Sequence, residues 1–118
     1  MSAGLTSHVL DISSGRPASG VRIDLFRLQE GGSELLRSEV TNSDGRLQGP
    51  MLSGDDFTPG IYELVFHIGD YFRGIGIELG EPAFLDQVPV RFGISAKDAH
   101  YHVPLLIAPW GYNTYRGS

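Results

Sequence analysis

The chain has 118 residues, enough for one domain that buries about 65% of the surface its unfolded form exposes. Its net charge of −5 argues against nucleic acid as a partner, and the absence of cysteine excludes disulfides, a thiolate nucleophile and cysteine-ligated metals. No apolar run reaches the ~18 residues that a membrane span needs, and no signal peptide is visible. We therefore expect one cytoplasmic domain over residues 1–118, without nucleic-acid or membrane partners.

Short segments rich in β-branched and aromatic residues alternate with turns of Gly, Pro, Asn and Asp, which is typical of an all-β sandwich. In chain order, the sequence predicts strands at residues 6–11, 21–29, 34–41, 60–68, 88–94, 100–108 and 112–115. Residues 13–20 read as a loop, and residues 42–45 as a tight turn in which Gly45 accepts a positive φ. Residues 70–73 favour one helical turn.

The strand predicted at residues 100–108 has two different faces, because successive side chains on a strand point in opposite directions. The row that we assign to the core is Val103, Leu105 and Ile107. The opposite row is partly apolar, yet it carries His100 and His102. A face of this mixed character indicates a subunit interface or a lined cleft.

Histidines are the first candidates for acid–base chemistry, because imidazole titrates near neutral pH. His8 lies in the middle of the first predicted strand, where a surface or interface histidine is the alternative. His102 lies on the two-faced strand, where a packed, hydrogen-bonded interface histidine is the alternative. We expect His100 to be solvated rather than catalytic, and His67 to be a surface residue.

A zinc site made of His8, His100 and His102 is a further possibility. Residues two apart on a strand splay along it and seldom converge on one ion. Neither Asp nor Glu falls on the face of His100 and His102 to support a metal-bound imidazole. We therefore expect no metal and no other cofactor.

Arg46 and the end of the chain complete the candidates. Arg46 follows the turn at residues 42–45, and its planar guanidinium suits an oxyanion or a urea-like carbonyl edge; a solvated turn arginine is the alternative. Arg116 carries the same ambiguity. Because aromatic and β-branched residues continue almost to the terminus, the last strand can present Ser118 at a fixed place, unless it is an edge strand that simply stops.

Together these segments resemble the transthyretin-related 5-hydroxyisourate hydrolases over essentially the whole chain. The matching segments are Leu5-Thr6-Ser7-His8-Val9-Leu10-Asp11, Thr41-Asn42-Ser43-Asp44-Gly45-Arg46, His100-Tyr101-His102-Val103-Pro104-Leu105-Leu106 and Tyr112-Asn113-Thr114-Tyr115-Arg116-Gly117-Ser118. The distinguishing set within them is His8, Arg46, His102 and the closing Tyr-Arg-Gly-Ser. The resemblance implies a transthyretin-like (prealbumin-like) two-sheet β-sandwich with one short helix. It also implies a homotetramer, a dimer of dimers, with active sites where dimers meet.

The reaction implied by the resemblance is hydrolytic ring opening of 5-hydroxyisourate to 2-oxo-4-hydroxy-4-carboxy-5-ureidoimidazoline in urate catabolism, without metal or organic cofactor. His102 would activate or orient water, with His8 as its partner in proton movement. Arg46 would hold the carbonyl edge of the substrate and the developing negative charge. Ser118 would position a histidine or the substrate ring.

The resemblance also implies that Tyr115, Arg116 and Gly117 bind substrate and fix the tail. The competing class is a non-catalytic transthyretin-like carrier that uses the interface channel for a hydrophobic aromatic ligand. Aliphatic or small residues would be expected at the polar positions of such a carrier, so the presence of His8, Arg46 and His102 favours hydrolysis.

Overall fold

The structure, a computed structural model, describes residues 3–118. Its elements in chain order are β1 (Gly4–Asp11), β2 (Arg16–Pro17), β3 (Arg22–Gln29), β4 (Gly32–Val40), β5 (Gly60–His67), α1 (Ile68–Gly74), β6 (Gln87–Ile94), β7 (His100–Ala108) and β8 (Gly111–Thr114). A short 3-10 turn, Gly54–Asp56, precedes β5. Within the described part of the chain, no helix has the length and apolar character that crossing a membrane requires.

The strands form two four-stranded sheets, with the orders β2-β1-β7-β8 and β4-β3-β5-β6. In the first sheet β1 and β7 run parallel, although they come from opposite ends of the chain. Their register places Thr6 opposite His102 and His8 opposite Pro104. This pairing brings the motif near the N-terminus beside the motif near the C-terminus, and it is the feature of the fold that positions the site.

The core lies between the inner faces of the two sheets, with α1 closing part of it. Its fully buried side chains include Leu5, Val9, Ile23, Leu25, Tyr62, Leu64, Phe66, Ile68, Phe72, Leu105 and Ile107. Val103, Leu105 and Ile107 all belong to this core, so the face assignment for β7 is confirmed. The all-β, two-sheet sandwich with one short helix is likewise confirmed.

All seven predicted strands are present, and their ends differ from the structure by at most two residues. The helical turn predicted at residues 70–73 is the middle of α1. The loop predicted at residues 13–20 instead contains β2, which pairs with the end of β1. A two-residue strand that includes a proline shows no alternation, so pattern alone cannot find it.

Candidate active site

The outer face of the first sheet gathers its polar residues into one row. The Thr6 hydroxyl lies 2.7 Å from Nδ1 of His102 and 3.1 Å from Nε2 of His100. The ring of His102 lies between those of His8 and His100, with centroid separations of 6.2 Å and 6.3 Å. The parallel pairing of β1 and β7 therefore places three imidazoles and one hydroxyl side by side.

Arg46 is brought to this row by the turn that precedes it. The Asn42 side-chain oxygen accepts hydrogen bonds from the backbone N–H groups of Asp44 and Arg46, at 2.9 Å and 3.2 Å. Gly45 has a φ of 75°, as predicted, and a Cβ there would overlap the carbonyl oxygen of Val9. The turn can thus lie flat against β1, and Arg46 forms a backbone bridge with His8.

The last four residues fold back onto β7. The Gly117 N–H donates to the carbonyl oxygen of His102 at 2.8 Å. A Cβ on Gly117 would lie only 2.8 Å from Cδ2 of His102, so glycine allows the tail to approach the imidazole. The Arg116 guanidinium donates to the carbonyl oxygen of His100 and lies 3.9 Å above the ring of Tyr101. The tail is therefore held against the strand that carries the histidines.

Tyr101 is a residue whose part in this anchorage the sequence analysis missed. Its ring carries Arg116, and its hydroxyl accepts hydrogen bonds from the backbone N–H groups of Ser95 and Ala96. Hydrogen bonds from Ser95 and Ala96 lower the pKa of Tyr101 to about 8, because they stabilise the phenolate. The alternation along β7 placed Tyr101 in the inward row, and that signal alone does not indicate that a cation covers its ring.

A cleft of about 380 Å³ opens beside the imidazole row. Its lining consists of Thr6, Ser7, Arg46, Leu47, Gly49, Pro50, His100, His102 and Ser118. Its volume is in the range of small-molecule sites. A larger cavity of about 720 Å³ lies between β4 and residues 51–58, and none of the predicted site residues lines it.

The predicted site residues thus separate into two groups. Arg46, His102 and Ser118 line the cleft, whereas His8 lies beside it with its ring next to that of His102. The remaining three, Tyr115, Arg116 and Gly117, do not line the cleft in this single chain. The Tyr115 side chain is exposed, and the two residues after it hold the tail to β7.

Burial and positive charge keep two of the imidazoles neutral. Burial lowers the pKa of His102, and electrostatic interactions with neighbouring groups, Arg46 among them, lower it further. Burial is also the largest cause that lowers the pKa of His8, followed by the charge of Arg46. A neutral imidazole that faces a cleft is able to accept a proton from a bound water.

The expectations for the other two histidines were wrong. His100 is half-buried, hydrogen-bonded to Thr6 and part of the cleft lining, rather than solvated. His67 is not a surface residue, because its side chain is only 12% exposed and its Nε2 lies 2.8 Å from Oδ2 of Asp24. The outward row of β5 carries His67 to a position diagonal to Asp24 on β3, where the carboxylate reaches it.

The three-histidine zinc alternative gains no support from the geometry. Within residues 3–118, no three His, Cys, Asp or Glu side chains are placed to hold a metal ion. The rings of His100 and His102 instead both turn a nitrogen towards the hydroxyl of Thr6.

Comparisons with known proteins agree with the fold. The family model described as "Transthyretin: HIUase/Transthyretin family" matches residues 5–117. A protein of Rhizobium meliloti (strain 1021) named 5-hydroxyisourate hydrolase 2 is 59% identical over 117 residues, which are 99% of this chain and 98% of that protein. The solved structure of Klebsiella pneumoniae 5-hydroxyisourate hydrolase has a TM-score of 0.79 at 39% identity, over 97% of this chain and 98% of that one. A crystal structure of (S)-allantoin synthase has a TM-score of 0.93 at 49% identity over 99% of this chain, which spans 44% of that longer chain.

Proposed function

Because this chain belongs to the HIUase/Transthyretin family, we propose that it is a 5-hydroxyisourate hydrolase. It opens the ring of 5-hydroxyisourate with water to give 2-oxo-4-hydroxy-4-carboxy-5-ureidoimidazoline, a step of urate degradation. The observation that carries the proposal is one cleft that combines a neutral imidazole, a guanidinium and the end of the chain. The names of the similar proteins support the same reaction.

Hydrolysis of a cyclic amide needs an activated water, stabilisation of the oxyanion and a proton for the departing nitrogen. His102 is the general base, and Nε2 is the atom that accepts the proton because Nδ1 is engaged by Thr6. His8 lies beside His102 and is its partner in proton movement. The pKa of each of these two rings is lowered, so neither has to lose a proton before it acts at neutral pH.

Arg46 binds the carbonyl edge of the substrate and the negative charge that develops on it. Arg46 lines the same cleft as His102, and the turn that carries it is fixed by the Asn42 side chain. Ser118 lines the cleft at the end of a tail that is hydrogen-bonded to β7, so it positions a histidine or the substrate ring. Arg116 and Gly117 hold this tail against β7, and in the proposed assembly they contribute to substrate binding together with Tyr115.

The proposal includes a cytoplasmic homotetramer, a dimer of dimers, that works without a cofactor. The outer face of the first sheet supports an assembly, because Leu10 and Leu106 pair on it beside the histidines and are half-buried in the single chain. Trp110 and Tyr112, at the β7–β8 end of that sheet, are 74% and 45% exposed. Light scattering tests the assembly: a particle with four times the mass of one chain is expected, and a monomer would contradict it.

The test of the function is ultraviolet monitoring of 5-hydroxyisourate, generated in the cuvette from urate by urate oxidase. We expect this protein to accelerate the decay, and the acceleration to survive a chelator. No acceleration by a verified tetramer would contradict the hydrolase and favour the carrier, which equilibrium binding of thyroxine-like ligands would then detect. Loss of activity only with chelator would contradict the metal-free mechanism.

A further inference from the structure

Thr6 stands between two imidazoles, and the proposed roles use its contact with His102 but not its contact with His100. Its hydroxyl is within hydrogen-bond distance of His102 Nδ1 at 2.7 Å and of His100 Nε2 at 3.1 Å. Thr6 also lines the cleft. The two histidines lie 94 and 96 positions further along the chain, so only the parallel pairing of β1 and β7 creates this bridge.

A threonine hydroxyl has one hydrogen, so it can donate to only one of the two rings at a time. If it donates to His100, it accepts a hydrogen bond from Nδ1–H of His102, and Nε2 of His102 is then the basic nitrogen. If it donates to His102, it accepts from Nε2–H of His100, and His102 then carries its proton on Nε2. The first arrangement is that of a general base, and the second is that of a general acid.

We propose that Thr6 is a positioning residue whose hydroxyl fixes the tautomer of His102 and links it to His100, so that the two rings share a proton during the reaction. This inference rests on the hydrolase function proposed above. It adds Thr6 and His100 to the residues that serve the reaction, and it gives His102 the means to act first as a base and then as an acid.

The proton passes along His102, Thr6 and His100 in turn. The attacking water loses a proton to Nε2 of His102 as its oxygen forms a bond to the ring carbon of the substrate. The Nδ1 proton of His102 passes to the Thr6 oxygen, and the Thr6 hydroxyl proton passes to Nε2 of His100. When the carbon–nitrogen bond breaks, the transfers reverse, and His102 gives the proton on Nε2 to the departing nitrogen.

The charges around His102 explain why sharing the proton helps. A doubly protonated His102 would be partly buried and would face the positive charge of Arg46, and both the burial and that charge lower its pKa. A transfer through Thr6 leaves His102 neutral beside Arg46. No Asp or Glu side chain is among the residues that line the cleft, so no side-chain carboxylate there offsets the charge of Arg46.

The test uses Thr6→Val, which keeps the side-chain shape and removes the hydroxyl, with Thr6→Ser as the rescue variant. We expect Thr6→Val to lower kcat about tenfold with KM almost unchanged, since one hydrogen bond is worth about one power of ten. Thr6→Ser should restore most of the lost kcat. Thr114→Val is the matched control, because it removes another hydroxyl of the same sheet, which donates to the carbonyl oxygen of Pro104 at 2.8 Å. Equal kcat in Thr6→Val and wild type would overturn the inference.

Nitrogen NMR of the histidine rings separates this inference from the function itself. In wild type we expect the neutral His102 ring to carry its proton on Nδ1, and in Thr6→Val the ring should become a mixture of tautomers. An unchanged His102 tautomer in a folded Thr6→Val would contradict the role of Thr6, whether or not the protein hydrolyses 5-hydroxyisourate. A wild-type protein that fails the decay assay but shows the tautomer change would contradict the function and leave the hydrogen-bond linkage standing.

Discussion

The two sheets carry polar clusters on their outer faces, and each cluster contains histidine. On the second sheet, the Asp24 carboxylate takes up the available donors: Ser38 at 2.5 Å, His67 at 2.8 Å and Arg22 at 3.0 Å. On the first sheet, His102 contacts the hydroxyl of Thr6, lies near the positive charge of Arg46 and lines a cleft. His67, which is bound to a carboxylate, stabilises the fold, whereas His102, which is neutral and lines a cleft, is available for chemistry.

The two sheets also differ in what causes the pKa shifts of their titratable groups. Burial alone would raise the pKa of Asp24, but hydrogen bonds from Ser38, His67 and Arg22 outweigh it, so the pKa is lowered. A depressed carboxyl pKa means that this cluster stabilises the fold above pH ~4 and loses that contribution as the pH falls through the folded-state pKa. On the first sheet, burial and the positive charge of Arg46 lower the pKa of His8 and His102 and thereby favour their reactive neutral form.

A large contrast is expected from matched arginine variants, Arg46→Met on the first sheet and Arg22→Met on the second. Loss of a group that stabilises the oxyanion costs about 10²–10³-fold in kcat, and we expect Arg46→Met to show a loss of that size. Arg22→Met should keep the wild-type kcat/KM, since the hydrogen bonds of Arg22 go to Asp24 and Ser38 on the second sheet. The decay assay measures both variants, and similar rates would contradict the assignment of the chemistry to the first sheet.

The next largest effect on kcat is expected from the tail, where Gly117 contacts His102. A Cβ at Gly117 pushes the imidazole or the tail away, and a displacement near 1 Å costs about tenfold to a hundredfold in rate. We therefore expect Gly117→Ala to lower kcat by such a factor. Gly111→Ala is the control, because a Cβ there meets nothing within 4 Å. Wild-type activity in Gly117→Ala would contradict a role of the tail in the reaction.

On the second sheet the expected loss is in stability. Asp24→Ala leaves the donors of Ser38 and His67 without their acceptor, and we expect the free energy of unfolding to fall by about 2 kcal/mol. Glu63→Ala is the control on the same sheet; its ion pair with the exposed Arg91 is worth less than about 1 kcal/mol. Urea unfolding measures both variants. A large loss of kcat in folded Asp24→Ala would contradict the separation of roles.

The smallest effect is a displacement of the pH profile. Because the pKa values of His8 and His102 lie below the usual 6.5, both rings are neutral at pH 7, and kcat/KM should fall only as the pH drops below 6.5. Arg46→Met should move this acid limb to higher pH, since removal of a positive charge favours protonation. Arg46→Lys should leave it nearly in place. An acid limb unchanged by Arg46→Met would show that Arg46 does not act on these rings.

Local sequence patterns predict most of the fold. Alternation predicts every strand longer than two residues, and the turn residues predict the positive φ of Gly45 and the place of Arg46 after the turn. The contacts that distinguish the two faces depend on register between distant strands. Alternation placed His67 on an outward row, yet only the pairing of β3 with β5 brings Asp24 to it. In the same way, the bridge from Thr6 to His100 exists because β1 and β7 are aligned, and no local pattern fixes that alignment.

The most direct test of the account compares two matched histidine variants, His102→Asn and His67→Asn, in the decay assay. We expect His102→Asn to lower kcat by about 10²–10⁴-fold, the usual contribution of a positioned base, while the fold and assembly stay intact. His67→Asn should keep its kcat and lose only stability. Turnover by His102→Asn within about threefold of wild type would contradict the claim that the histidine of the first sheet performs the chemistry.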